Sequence, residues 1–234
     1  MSASGIRARN RAAIMSAITQ AANRQLLEVG PGELSVRAIA RDLGMASSAM
    51  YRYVSSRDEL LTLLIIDAYD DLGDHVEARA GRVPDPGKRW RAVGLAVRDW
   101  ALAEPQRFAL IYGSPVPGYA APETTIAPAT RIPALLVGII QQAGAQIAPA
   151  AFSSRVARSL RPGLQGMAQW TGISEPHFSD AAFAVGVMAW THMIGSISFE
   201  LFGHRHGVVG DSEADRRAYF MFELAVLAEV LGIA

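Results

Sequence analysis

The chain has 234 residues, of which half are apolar and 19% are charged, so it can bury the core of one large domain or of two modest ones. This composition excludes global disorder, and the absence of cysteine excludes disulfides and cysteine-based zinc or catalytic sites. Residues 1–57 hold eight arginines against three acids, a net charge of +5, whereas the remainder holds 14 basic and 19 acidic residues, a net charge of −5. This distribution indicates a polyanionic partner for the N-terminal part alone.

Apolar residues recur at three- and four-residue steps along nearly the whole chain, which predicts an all-α fold. The first helix is predicted to end at the Gly30-Pro31-Gly32 break. A fourth helix is predicted from about residue 57 to residue 80, opened by a capping box at Ser56-x-x-Glu59, with the acidic residues from Asp67 to Glu77 facing water. Later helices are predicted at about 88–103, 105–113, 124–146, 152–170, 178–203 and 212–232.

Between the first and fourth helices, residues 34–53 have the spacing of a helix-turn-helix. Ser35 is placed to cap the first helix of the motif, and Gly44 tolerates the positive φ that its turn requires. Small residues open the second helix and would let its N-terminus enter the major groove. The residues expected to contact DNA are Ser35, Val36, Arg37, Ala46, Ser47, Ser48, Tyr51, Arg52, Tyr53 and Arg57.

In residues 11–70 the sequence resembles the DNA-binding domain of the TetR family. The resemblance is carried by the segments Leu34–Gly44, Met50–Val54 and Ser56–Leu61, after a first helix that ends in Leu27-Glu28-Val29-Gly30. It implies that the second helix of the motif reads DNA and that Arg57, at a position where Lys is usual, contacts a phosphate. Tyr53-Val54 in place of His-Phe, and Ser47 where Pro is frequent, are departures that remove no hydrogen-bond donor.

The remaining chain resembles a subgroup of TetR regulators more weakly, through Phe108–Tyr119 and Phe199–Gly203. The resemblance implies a helical body with a ligand pocket and a homodimer formed by the last helices. We therefore predict a DNA-binding domain at residues 1–57 and a ligand-sensing and dimerisation domain at residues 81–234, joined by the fourth helix. The sequence does not identify the ligand.

The last helices themselves favour dimerisation, which we predict through residues 178–203 and 212–233. Residues 212–233 carry two apolar stripes on different faces, so that one can serve the subunit core and the other a partner. The first stripe is Tyr219, Phe222, Val226, Val230 and Ile233, and the second is Phe220, Leu224, Leu227 and Leu231.

The segment from Ala181 to Phe199 contains no Asp, Glu, Lys or Arg and is long enough to span a membrane. It lies between Asp180 and Glu200, without the flanking basic cluster of a membrane helix, and a buried soluble helix needs the same composition. Polar residues also interrupt the N-terminal stretch before any apolar run of signal length develops. We therefore expect a cytoplasmic protein that does not enter a membrane.

Aromatic and sulfur-containing side chains of the body are the candidate lining of an apolar pocket, although each alone is more often a core residue. These candidates are Trp100, Phe108, Tyr112, Tyr119, Met167, Trp170, Trp190 and His192. The segment Pro115–Pro122, the longest non-helical stretch of the body, is the candidate movable wall of this pocket. His204-Arg205-His206 lacks a neighbouring ligand at metal spacing, so we predict neither a metal nor another cofactor.

Three functions remain open from sequence. The favoured one is a DNA-binding transcriptional regulator, a repressor that a small apolar ligand releases from its operator; an activator would have the same sequence features. A DNA-binding protein without a ligand leaves the helical body without a task. A small all-α enzyme is disfavoured, because the sequence has no nucleophile elbow, phosphate loop or metalloprotease motif.

Overall fold

A computed structural model describes residues 3–173 and 175–234, and over these residues it contains ten α-helices and no strand, which confirms the all-α prediction. The helices begin and end close to the predicted residues, except that the third ends three residues early. They are α1 (Ala3–Val29), α2 (Val36–Asp42), α3 (Ser47–Met50), α4 (Arg57–Ala80), α5 (Pro86–Ala103), α6 (Pro105–Tyr112), α7 (Ile126–Ala143), α8 (Ser154–Thr171), α9 (Asp180–Leu201) and α10 (Glu213–Val230).

Serine hydroxyls fix where several helices begin. The Ser35 Oγ accepts a hydrogen bond from the N–H of Ala38 at 3.3 Å, as predicted for the cap of α2. At α4 the Ser56 Oγ accepts from the N–H of Glu59 at 3.0 Å. The reciprocal half of the predicted capping box differs, because the Glu59 carboxylate accepts from the N–H and the hydroxyl of Ser55, each at 2.6 Å.

The chain divides into two compact units, which are not consecutive in sequence. The first unit contains the residues up to Asp70 together with Gln106–Ile126. Its core joins buried residues of α1, α2, α3 and α4 with Leu110 of α6, and Val116 and Tyr119 pack against it. The Tyr119 and Thr62 hydroxyls lie 2.9 Å apart, which ties the proline-rich segment to α4.

The second unit contains Asp71–Pro105 and Ala127–Ala234. Within it α10 packs against α5 and α9, and α8 packs against α9. The contact between α5 and α10 is close, since a Cβ on Gly94 would lie 2.6 Å from a Leu224 methyl group. The indole N–H of Trp90 also donates to the Leu224 carbonyl at 2.9 Å, which fixes α10 along α5.

A buried ionic cluster holds three helices of the second unit together. Arg98 of α5 is fully buried and donates to both carboxylate oxygens of Glu200 on α9 and of Glu213 on α10. Its hydrogen bonds lower the pKa of the Glu213 carboxyl below its usual value. Replacing Arg98 alone would leave Glu200 buried without its partner, which is costly in a protein interior.

The acidic residues of α4 do not all face water as predicted, because several of them hold neighbouring helices. In the first unit Asp67 accepts from Asn23 at 3.0 Å and from Arg107 at 2.8 Å. In the second unit Arg131 of α7 donates to Asp74 at 2.7 Å and also pairs with Glu77. These carboxylates therefore fix α4 against the rest of its unit on each side of Asp70.

Helix α9 is long and apolar enough to cross a membrane, by length and composition. It is packed inside the second unit by α5, α8 and α10, and 39% of its most apolar window is buried. The expectation that it is covered on all sides is wrong for the single chain, because Val187, Met188 and Phe199 are exposed. Packing on one side and exposure on the other is typical of a helix that contributes both to a core and to a contact surface.

Candidate nucleic-acid interface and ligand cavity

The helix-turn-helix is built as the sequence predicts. Helices α2 and α3 are in contact, and Gly44 between them has a φ of 63°, which favours glycine. The N–H of Met45 donates back to the carbonyl of Ala40 at 2.8 Å and closes the turn. Met50 and Val54 are fully buried on either side of the exposed Tyr51 and Arg52. The motif therefore has a fixed inner face and a free outer face.

Most of the side chains expected to contact DNA lie on the free outer face. Arg37 of α2, the small residues at the start of α3, and the two residues after α3 are exposed. The exposed members of the predicted set are Arg37, Ala46, Ser47, Ser48, Tyr51 and Arg52. Tyr53 is half-buried, and the guanidinium of Arg11 lies 5.3 Å from its ring centre. Its ring is thus held by α1.

Three other members have roles within the fold. The Val36 side chain is buried in the core, so only its backbone is left for a partner. Ser35 uses its hydroxyl to cap α2, and its N–H donates to the Gln25 side chain at 2.8 Å. Arg57 donates to the carbonyls of Pro31 and Gly32 at 2.9 and 3.0 Å, which holds the turn between α1 and α2.

An apolar cavity of about 100 Å³ lies in the second unit between α7, α8 and α9. No charged side chain lines it. Its lining residues are Pro133, Ala134, Leu136, Val137, Ile140, Met167, Trp170, Thr171, Phe183, Gly186, Val187 and Trp190. An apolar cavity of about 150 Å³ is enough to hold benzene, so a neutral ligand with a single ring is the size class that this open cavity admits.

Of the eight predicted ligand-contacting residues, Met167, Trp170 and Trp190 line this cavity. Phe108, Tyr112 and Tyr119 belong to the first unit, where Tyr112 packs at 5.2 Å from the Phe108 ring and burial raises its pKa. The segment Pro115–Pro122 lies in the first unit and contributes no residue to this cavity. The two others stand elsewhere in the second unit: Trp100 is buried and bonded to Asp71, and His192 is exposed beside Glu223.

The cavity residues of α7 were missed by sequence reasoning. Pro133, Leu136, Val137 and Ile140 follow the three- and four-residue spacing of any buried helix face. That spacing alone does not separate a cavity wall from a filled core. Gly186 of α9 carries a stronger signal, because a Cβ there would lie 2.7 Å from the Ile140 Cδ1, so it marks a close approach of α7 and α9.

Helices α9 and α10 present one exposed apolar face of the second unit, which we call the α9–α10 face. It separates the two predicted stripes of α10: the second is buried, whereas the first is exposed except for Ile233, which is buried. The members of the α9–α10 face are Val187, Met188, Phe199, Phe202, Tyr219, Phe222, Val226 and Val230. None of these residues is charged.

A hydrogen-bonded cluster lies beside the α9–α10 face. The buried Glu223 carboxylate accepts from Ser196 at 2.5 Å and from Arg205 at 2.8 Å, and His192 is 3.2 Å away. His204 and His206 are both exposed. Among residues 3–173 and 175–234, no three His, Cys, Asp or Glu side chains are grouped so that they could hold a metal ion.

Comparison with protein families gives two matches. The family described as "Bacterial regulatory proteins, tetR family" matches residues 18–64. The family described as "Tetracyclin repressor-like, C-terminal domain" matches residues 90–227. The first match contains the helix-turn-helix, and the second contains the apolar cavity and most of the α9–α10 face.

Individual relatives match over nearly the whole chain. HTH-type transcriptional regulator Rv1816 of Mycobacterium tuberculosis (strain ATCC 25618 / H37Rv) is 43% identical over 229 residues, which cover 95% of this chain and 94% of that protein. HTH-type transcriptional regulator Mb1846 of Mycobacterium bovis matches to the same extent. The solved structure of SCO4313 superposes with a TM-score of 0.75 at 32% identity, covering 94% of this chain and 98% of that one. The similarity thus includes both units.

Proposed function

Because the chain belongs to the TetR family of bacterial transcriptional regulators, we propose that it is a cytoplasmic homodimer that represses transcription until a small apolar ligand releases it from operator DNA. The observation that carries the proposal is the free outer face of the helix-turn-helix, in a segment of charge +5. The family and the named relatives are transcriptional regulators, and regulation rather than catalysis is the activity assigned here.

On the DNA side, Ser47, Ser48 and Arg52 are the residues proposed to face base edges in the major groove. Tyr51 and Arg37 are exposed on the same motif and can donate to phosphates. Arg57 has a double role in this proposal: it holds the turn of Pro31 and Gly32 through one nitrogen and offers its other nitrogens to a phosphate.

On the ligand side, the uncharged lining of the cavity selects a neutral apolar molecule, because a charged group there would lose its hydration without gaining a partner. The cavity is bounded by α7, α8 and α9, and Arg131 of α7 pairs with Asp74 and Glu77 of α4. Helix α4 is continuous across Asp70, where the first unit ends. A ligand that shifts α7 would therefore act on the helix that both units share.

The proposed dimer uses the α9–α10 face. Monomeric soluble proteins rarely expose a large contiguous apolar patch, and an uncharged face is compatible with a copy of itself. Two helices from each subunit would form a four-helix contact. A twofold dimer would then present two recognition helices, which must reach successive major grooves about 34 Å apart.

The proposal is tested by fluorescence anisotropy with labelled DNA from upstream of the protein's own gene. We expect affinity for this DNA to exceed that for scrambled DNA, and fluorobenzene, used as a probe of the cavity, to weaken it. The variant Ala134→Leu should fill part of the cavity and abolish the fluorobenzene response while keeping operator affinity. Equal affinity for both DNAs would refute a sequence-specific regulator, and tighter binding with fluorobenzene would reverse the sign of the regulation.

A further inference from the structure

The mouth of the apolar cavity lies at the edge of the α9–α10 face. Most of the lining residues are buried or half-buried, but Trp170 of α8 is 43% exposed and Val187 of α9 is 44% exposed. Val187 thus belongs to two surfaces, because it lines the cavity and also begins the exposed side of α9 that continues through Met188 to Phe199. Whatever covers this side of α9 must also cover part of the cavity mouth.

A single subunit leaves the cavity open to water at this point. The lining around the mouth offers indole rings and aliphatic groups, and ordered water needs several polar partners to be held. An apolar ligand in the open cavity would keep part of its surface in contact with solvent. Each apolar area left exposed forfeits binding free energy, so closure of the mouth would strengthen ligand binding.

The α9–α10 face fits a second copy of this chain better than a partner of another kind. It is uncharged, and it carries both projecting rings and a recess, as an isologous contact requires. Phe222 projects from α10 with 60% of its surface exposed. On α9 a recess lined by His192, Gly195 and Phe199 lies on the same face, and nothing stands within 4 Å of where a Gly195 Cβ would be.

We propose that the second subunit closes the ligand cavity at Val187, so that the effector site is complete only in the dimer. This inference rests on the dimer and the cavity of the proposed function, and it adds that the two are coupled. Ligand then stabilises the dimer, and dimerisation raises ligand affinity by the same factor, because coupling between two binding equilibria is reciprocal.

The test measures fluorobenzene affinity by ¹⁹F NMR for the dimeric wild type and for the variant Phe222→Asp, which introduces a charge on the α9–α10 face outside the cavity. We expect the variant to be a folded monomer whose fluorobenzene affinity is at least about fivefold lower. The matched control is Leu102→Asp, an exposed leucine of α5 away from this face, which should stay dimeric with wild-type affinity.

A second measurement needs no variant. Dilution of the wild type through its dimer–monomer transition should lower fluorobenzene affinity, and saturating fluorobenzene should lower the dimer dissociation constant by the same factor. A monomer that binds fluorobenzene as tightly as the dimer would overturn the inference and leave the proposed dimer intact. A wild type that stays monomeric at micromolar concentration, or a dimer that does not bind fluorobenzene, would instead refute the proposed function from which the inference starts.

Discussion

Arg57 shows how one side chain can serve the fold and a partner together. It lies at the first residue of α4 and donates to the carbonyls of Pro31 and Gly32 in the turn that precedes Ser35. Those bonds place the turn, and the turn sets where α2 begins. Since the guanidinium has five N–H groups, the contacts with two carbonyls leave donors for a phosphate.

The variant Arg57→Ala is expected to weaken binding to all DNA sequences alike and to lower the salt slope of binding by about one, as for the loss of one phosphate contact. The measurement is operator affinity at several salt concentrations. Arg79→Ala, which removes an exposed arginine at the end of α4, is the control and should keep the wild-type slope. An unchanged slope for Arg57→Ala would restrict Arg57 to its structural role.

Gly44 is the other residue on which the motif depends, because its φ of 63° strains any residue with a Cβ. A Cβ there would meet nothing within 4 Å, so the effect of Gly44→Ala is conformational alone. We expect a loss of about 1–2 kcal/mol in the free energy of unfolding, measured with urea. Gly32→Ala is the matched control, with equal space and no positive φ, and a loss of the same size there would contradict this explanation.

Helix α10 separates its two apolar stripes by function. Leu224 is 1% exposed and contacts Gly94 of α5, whereas Phe222 points to solvent two residues earlier. Leu224→Asp should therefore bury an unpaired charge and cost at least about 3 kcal/mol of stability. Phe222→Asp should keep the wild-type unfolding temperature and yield monomers. Thermal unfolding and analytical ultracentrifugation of both variants test this, and equal destabilisation by the two would contradict the division of α10.

The ionic cluster of α5, α9 and α10 predicts a specific sensitivity to acid. Hydrogen bonds from Arg98 lower the pKa of Glu213 below its ordinary value of 4.5. A carboxyl with a lowered pKa in the folded state stabilises the protein fully above its unfolded-state pKa and loses that contribution as the pH falls through the folded-state pKa. We therefore expect stability to fall as the pH drops below about 4.5, with a smaller fall in Glu213→Gln.

Urea unfolding of the wild type and of Glu213→Gln across this pH range measures the difference. Glu28→Gln, which changes an exposed carboxylate of α1 outside the cluster, is the control and should follow the wild type. If Glu213→Gln keeps the full acid sensitivity, the ion pair with Arg98 contributes nothing to it.

At the scale of the whole molecule, the two units are interleaved along the chain. The chain passes from the first unit to the second at Asp70, returns at Pro105, and leaves again at Ile126. Helix α6 and the proline-rich segment that follows are therefore inserted into the DNA-binding unit, although they come from the middle of the sequence. Three crossings of the chain, rather than one linker, connect the DNA-binding face with the cavity.

This connection leads to a prediction about binding energies. If fluorobenzene weakens operator binding by some factor, typically about 5–150-fold for coupled sites, operator DNA must weaken fluorobenzene binding by the same factor. Calorimetry with and without operator measures the second factor, and anisotropy measures the first. Ala134→Leu, which partly fills the cavity, should abolish both effects together. Unequal factors would mean that fluorobenzene also acts outside the cavity.

The sequence by itself determined the elements and the DNA-binding motif, because these depend on local rules. Helix periodicity, the Ser35 cap and the positive φ at Gly44 need only a few neighbouring residues, and all three are present in the structure. The family of the chain was also readable from such local segments, and the family comparison confirms it.

Only the tertiary structure decided which apolar residues fill a core, line a cavity or face outward. Phe108, Met167 and Phe222 have the same apolar character in the sequence, yet they belong to the core of the first unit, to the cavity and to the exposed α9–α10 face. The placement of α6 with the DNA-binding unit was equally invisible. The physical reason is that periodicity records which side of a helix is apolar, whereas contacts between residues far apart in sequence determine what that side meets.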